Sequence, residues 1–223
     1  MSDLILIRNR KVRILVECAV MVALATVLSL IKVYEAPFGG SVTLLSMAPI
    51  IILSIRRGVK VGLSGAFVYS IIQLVLGLNS VAWVPTAGGI VLCILFDYII
   101  PFTLIGLGGM FRRVSFLQNV TLPNSGIIPK KLRGKAIDIP LYAILGTLTV
   151  LLLRFLCHII SGAVIWYALD LQWYADDPTH IVHKYGAWMF SLVYNGSFMI
   201  PEIIETLIGV PLLISALKRF KIK

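Results

Sequence analysis

Long apolar runs separated by short polar segments dominate the chain, at roughly 12–31, 41–55, 58–78, 87–110, 139–168 and 186–217. A helix needs about 20 apolar residues to cross a bilayer, so most of these runs can span one, some with tilt. The pattern predicts an all-α integral membrane protein, a bundle of about six transmembrane helices forming one domain over residues 1–223. The second run is short and bounded by Gly39-Gly40 and Arg56-Arg57-Gly58. It is expected as a broken or tilted span whose glycine start lets backbone pack closely or unwind beside a cavity. The first run follows Arg8, Arg10, Lys11 and Arg13 and lacks a convincing small-residue cleavage site, so a membrane helix is expected there rather than a signal peptide.

Basic residues orient the bundle. Arg8 to Arg13, then Arg56, Arg57 and Lys60, then Arg112, Arg113, Lys130, Lys131, Arg133 and Lys135, then Lys218 to Lys223 fall at the N-terminus, in alternate loops and at the C-terminus. By the positive-inside rule these clusters, and both termini, are cytoplasmic. Residues 112–138, with Pro123, Asn124, Gly126 and Pro129, read as one long cytoplasmic loop.

Composition agrees: 59% of residues are hydrophobic and 13% charged, and the mean hydropathy is +0.96, values of a chain that needs lipid as its solvent. The net charge of +10 follows from topology and not from a nucleic-acid surface, which would need a basic stripe facing phosphates. Cys18, Cys93 and Cys157 sit singly in apolar runs, which argues against a disulfide framework or a zinc site. No phosphate-binding loop, nucleophile elbow or metalloprotease motif is present, so uphill transport would draw on an ion gradient or another subunit.

Charges within the bilayer are costly and need partners. Glu17, Asp97, Arg154, His158, Glu202 and Glu205 are the ones embedded in apolar runs. At about 1.5 Å per residue, Asp97 on the fourth helix, His158 on the fifth, and Phe190, Tyr194 and Asn195 on the sixth reach overlapping depths in the outer half of the membrane. Arg154, His158, Gly162 and Trp166 recur every four residues and share a face. Arg154 is expected to pair with Glu202 or Glu205, and Glu17 to snorkel towards the cytoplasm. Trp83, Trp166, Trp173 and Trp188 each suit an interfacial belt, and His158 alone could be a hydrogen-bonded packing residue. Its coincidence in depth with Asp97 and Asn195 favours a ligand site. Ala19-x-x-x-Ala23 permits close helix approach, within the bundle or to a partner. His180-x-x-His183 beside Asp176 and Asp177 lacks a fixed third metal ligand and reads as a loop closing over an outer cavity.

Four stretches, in order along the chain, resemble a known family: Gly39-Gly40-Ser41 through Met47-Ala48-Pro49-Ile50 to Arg56-Arg57-Gly58; Asp97-Tyr98; Leu153 to Ala163; and Ser191-Leu192-Val193-Tyr194-Asn195-Gly196. They resemble the thiamine-specific S-component of energy-coupling factor (ECF) vitamin transporters. The resemblance implies a non-enzymatic subunit of the bacterial cell membrane that captures thiamine from outside. It also implies docking on one transmembrane coupling subunit and two ATPase subunits, which use the ATP, with no cofactor in this chain. Ala19 and Ala23 then match the docking surface. Asp97, Tyr98, His158, Trp166, Phe190, Tyr194 and Asn195 match or lie beside the substrate-binding positions, Phe190 replacing a frequent tyrosine. Gly40 and Ala87 stand where some members carry tryptophan and tyrosine. An S-component for a thiamine precursor or another vitamin, an autonomous carrier, and a membrane enzyme using Asp97 and His158 are the competing readings.

Overall fold

The computed structural model describes residues 2–36, 39–118, 121–122 and 139–219. Its frame is α1 (Ser2–Ser29), α2 (Ala48–Arg57), α3 (Val59–Leu76), α4 (Ala87–Arg113), α5 (Leu141–Trp173) and α6 (Ala187–Arg219). All but α2 contain a stretch long and apolar enough to cross a membrane. The expected second span is different. Residues 41–55 divide between one strand of a small hairpin, a bend, and most of α2. At ten residues, α2 is about 15 Å long, half of a hydrocarbon core of about 30 Å. Ala48 to Ile55 are all buried, as expected of a helix apolar on every side, which must lie inside the protein.

Backbone approaches backbone where α2, α3, α4 and α5 meet. A Cβ on Gly106 would fall 2.6 Å from the Gly62 backbone, and one on Gly109 would meet the Ser54 backbone. Ser54 satisfies the resulting polar contacts, donating to the Gly106 carbonyl at 2.5 Å and accepting from the Gly109 N–H at 2.9 Å. Small residues are what lipid-embedded helices use for such approach, because apolar side chains gain little by leaving lipid for one another. Around this seam Met47, Ile50, Ile51, Tyr69, Ile105, Val150 and Leu151 form the main core.

At the other end the helices part. The antiparallel hairpin of β1 (Lys32–Glu35) and β2 (Ser41–Thr43) follows α1, with Tyr34 opposite Val42 and Glu35 opposite Ser41. Gly39 takes a φ of +94° in its turn, a conformation that favours glycine. Two carboxylates of α6 anchor the far end of the hairpin. Glu202 accepts from the Thr43 N–H and hydroxyl, both at 2.9 Å, and Glu205 accepts from the Leu45 N–H at 3.0 Å. Neither forms the expected ion pair with Arg154. The Arg154 guanidinium donates to Met47 Sδ at 3.0 Å and lies 4.6 Å from the centre of the Phe102 ring. Glu17 forms an ion pair with Arg57 and a longer one with Arg56 at 3.5 Å, both in the basic cluster expected on the cytoplasmic side.

Two helices change pitch midway. Within α4, Ile94–Ile99 is a π-helical segment, and within α5, Gly162–Trp166 is another. The first has a cause in the sequence: Pro101 has no N–H for the Asp97 carbonyl four residues back, and its ring would collide with that carbonyl in an α-helix. Widening the turn relieves the collision. Most of the long loop expected at 112–138 lies outside the described residues, as do Lys130, Lys131, Arg133, Lys135 and the last four residues. Within its described part, Ser115–Gln118 is a helical turn, and Thr121–Leu122 pairs with Ile139–Pro140.

Candidate functional site

The parted ends of the helices enclose a cavity of about 660 Å³, within the usual range for small-molecule sites. α4, α5 and α6 each supply three residues to its wall, and the larger share comes from the end of α1, the hairpin and its flanks, α3, and the short helix Leu78–Ala82 with its flanks. The π-helical segment of α4 presents Asp97 to it, and Asp97 organises one side. Asp97 Oδ2 accepts from Ser161 Oγ at 2.6 Å, Trp166 Nε1 at 2.9 Å and Cys93 Sγ at 3.4 Å, while Oδ1 lies 3.2 Å from His158 Nδ1. A carboxylate can only accept, so Nδ1 carries a proton, and in the neutral imidazole Nε2 keeps a lone pair. Nε2 is buried and has no protein partner among the described residues.

The second π-helical segment matters to this geometry. Successive steps of four residues on an α-helix drift by roughly 40°, so Trp166 would swing away from His158. The wider turn at Gly162–Trp166 takes back part of that drift, and the indole is buried with its N–H on Asp97. Trp166 is therefore part of the cavity wall and not an interfacial belt residue. Gly162 also lets α6 come close, since a Cβ there would meet Ser191 Oγ and Asn195 Nδ2. Asn195 spends its Nδ2 on the His158 carbonyl at 3.1 Å, the Ser191 carbonyl at 3.0 Å and Ser191 Oγ at 3.1 Å. This pattern fixes the amide orientation and leaves Oδ1 as an acceptor.

Of the residues singled out in the sequence, Asp97, Tyr98, His158, Trp166, Tyr194 and Asn195 all line the cavity. Tyr98 donates its hydroxyl to the Gly77 carbonyl at 3.1 Å. Phe190 does not line it. It is 1% exposed and packs between Tyr167, at a ring separation of 5.6 Å, and Tyr194, at 6.1 Å. Ala19 and Ala23 lie elsewhere, exposed on α1 off the face that carries the buried Val22, Ala25 and Ser29. Sequence reasoning missed Cys93 and Ser161, which hold Asp97, and Trp83, which lines the cavity and meets Trp173 edge to face at 6.1 Å. The i, i+4 spacing of Cys93 and Asp97 was a usable signal; Ser161 carried none.

Beyond α5, the His180 ring stacks on Tyr174 at 3.8 Å, and His183 Nε2 lies 2.7 Å from the Tyr174 carbonyl. Thr179 donates from its hydroxyl and its N–H to Asp177 Oδ1, which holds that carboxyl below its ordinary range. Among the described residues, no group of three or more His, Cys, Asp or Glu side chains gathers as a metal site.

Comparison with known proteins gives this arrangement its relatives. Residues 15–222 match the family described as Thiamine transporter protein (Thia_YuaJ). The thiamine transporter ThiT of Bacillus subtilis is 32% identical over 193 residues, covering 85% of this chain and 84% of that protein. ThiT of Lacticaseibacillus paracasei is 26% identical over 215 residues, covering 93% and 90%. A solved structure of ThiT from Listeria monocytogenes shares the fold at a TM-score of 0.61 and 23% identity, over 96% of this chain and 97% of that one. With a family match that spans nearly its whole length, this multi-pass bacterial membrane chain belongs to the thiamine transporter protein family.

Proposed function

We propose that this chain captures thiamine in the 660 Å³ cavity as the substrate-specific subunit of an uptake system. The observation that carries the reading is Asp97, held on the cavity wall by four neighbouring side chains beside an imidazole whose Nε2 is buried and unpartnered. Thiamine joins a cationic thiazolium to an aminopyrimidine. The Asp97 charge offsets the cation in a site of low dielectric, and its position is fixed before ligand arrives. His158 Nε2 and Asn195 Oδ1 are acceptors suited to the amino group of the pyrimidine. Trp166, Tyr98 and Tyr194 offer ring faces to both heterocycles. Phe190 acts from behind, holding Tyr194 in place.

Residues 1–223 form one membrane domain of six segments in this reading, with the hairpin and α2 as the second and both termini cytoplasmic. The basic clusters near α2 and α4 support that orientation, and it opens the cavity to the outside. Delivery inward then depends on one transmembrane coupling subunit and two ATPase subunits, which consume ATP, and the exposed Ala19 and Ala23 are the docking surface on α1. Ala19→Trp is expected to leave thiamine binding intact and abolish uptake in cells that supply those subunits.

The primary test is a thiamine titration of the purified full chain in detergent, followed by tryptophan fluorescence, since Trp83 and Trp166 line the cavity. Saturable quenching with a Kd below about 1 μM, weakened in Asp97→Asn and His158→Ala, is the expected result. No binding by fluorescence or calorimetry overturns the reading and directs a screen of pyrimidine precursors and other vitamins.

A further inference from the structure

A second cavity, of about 210 Å³, lies next to the first, and Tyr194 belongs to the walls of both. Tyr34 of β1, His180, and Val193 and Ser197 of α6 form its sides. Tyr34 and Val193 are exposed, so the cavity opens to the surface. Asp170, in the last turn of α5, also lines it. This residue is only 1% exposed, and neither carboxylate oxygen has a hydrogen-bond partner among the described residues. None of the ion pairs there involves it. A buried carboxylate is strongly disfavoured unless something compensates it.

His180, the basic side chain on the cavity wall, does not serve. His180 Nδ1 accepts the Val182 N–H at 3.4 Å while its ring lies flat on Tyr174. An accepting Nδ1 marks the neutral imidazole with its proton on Nε2, so His180 brings no positive charge. The walls instead combine one carboxyl group with the rings of Tyr34 and Tyr194, the combination that recognises an organic cation by charge and by cation–π contact. Hard metal cations take six or more oxygen ligands, more than these side chains supply. The cavity is also smaller than the roughly 300 Å³ at which small-molecule sites begin, which suits one cationic ring or a quaternary ammonium and excludes a two-ring molecule.

We propose that this second cavity is an outer subsite for an organic cation, with Asp170 as its counter-charge. It deepens the transport reading: a substrate whose cationic ring rests there is separated from Asp97's cavity by the Tyr194 side chain, so the subsite raises the rate of capture.

The test is stopped-flow association of thiamine with the full chain in detergent, for wild type, Asp170→Asn and Ser197→Leu. The first variant removes the charge and keeps the shape; the second fills the cavity and leaves Asp170 in place, so agreement between them separates the subsite from a folding defect. Both are expected to associate about fivefold or more slowly than wild type with dissociation unchanged, and tetramethylammonium is expected to slow the wild type more than potassium at equal ionic strength. Wild-type association in either variant, or equal slowing by potassium, overturns the proposal. Should the wild type bind no thiamine, the transport reading fails, and calorimetry with 3-methylthiazolium decides the subsite separately: heat in wild type that is lost in Asp170→Asn supports it, and no such difference overturns it.

Discussion

Around α2 the helices meet through Gly62, Gly106 and Gly109, and Ser54 uses its one hydroxyl both to donate and to accept. Around Asp97 the same α4 and α5 stand apart, and each polar group that crosses the gap is fixed by one contact and left open by another: His158 by Nδ1 and Nε2, Asn195 by Nδ2 and Oδ1. One end is closed because Ser54 uses both of its hydrogen-bonding roles and no side chain separates the backbones. The other is a cavity because its polar atoms are oriented but not exhausted. Stability and recognition are thus assigned to opposite ends of shared helices.

The sharpest way to break this division is at Asp97. Asp97→Ala is expected to cost about 3 kcal/mol of thiamine binding, a loss of roughly 100-fold, measured by calorimetry, because the cation loses its counter-charge and Trp166, Ser161 and His158 lose their anchor. Gly106→Leu should act in the opposite sense. Overpacking of this kind costs about 1–3 kcal/mol, so the melting temperature falls while the folded fraction keeps its affinity; a loss of affinity without loss of stability would contradict the division. Thr43→Val removes the hydroxyl that links Glu202 and Ser46. It is expected to weaken binding by about 1 kcal/mol, or roughly fivefold, since the hairpin forms part of the cavity wall. Phe190→Tyr marks the small end of the scale, with affinity within about twofold of wild type in the same titration, because this ring lies behind the wall.

Helix positions and the side of the cavity formed by α4, α5 and α6 were legible because both follow from counting. Apolar runs set the spans, and a common rise per residue placed Asp97, His158 and Asn195 at one level. Counting also failed in identifiable ways. Residues 41–55 are as apolar as a spanning helix, and length alone does not tell a short helix buried in protein from a tilted one in lipid. Arg154 was expected to find a carboxylate, but Thr43 and Leu45 offer Glu202 and Glu205 backbone N–H groups that must be satisfied once buried, and Arg154 rests on a thioether and a ring instead. Trp166 was placed on one face with Arg154, His158 and Gly162 by counting in steps of four, with an interfacial belt as the alternative, but counting did not show the π-helical turn that brings it to the cavity. Pro101, four residues after Asp97, was the available hint that the pitch changes in α4; nothing comparable precedes Trp166.

The π-helical segments have a consequence for how this chain tolerates changes in length. A π-helical turn holds about one residue more than an α-helical one, so α4 can absorb a deletion within Ile94–Ile99 by returning to ordinary pitch, at the cost of the Pro101 collision. A deletion between Pro101 and Gly106 has no such reserve: everything on one side of the cut would turn by about 100° relative to the other. Asp97 would leave the cavity while the Gly106 seam stayed in place, or the reverse. A single-codon deletion there is thus expected to be far more damaging than one among the polar residues linking α5 to α6, although it shortens a hydrophobic helix by only one position.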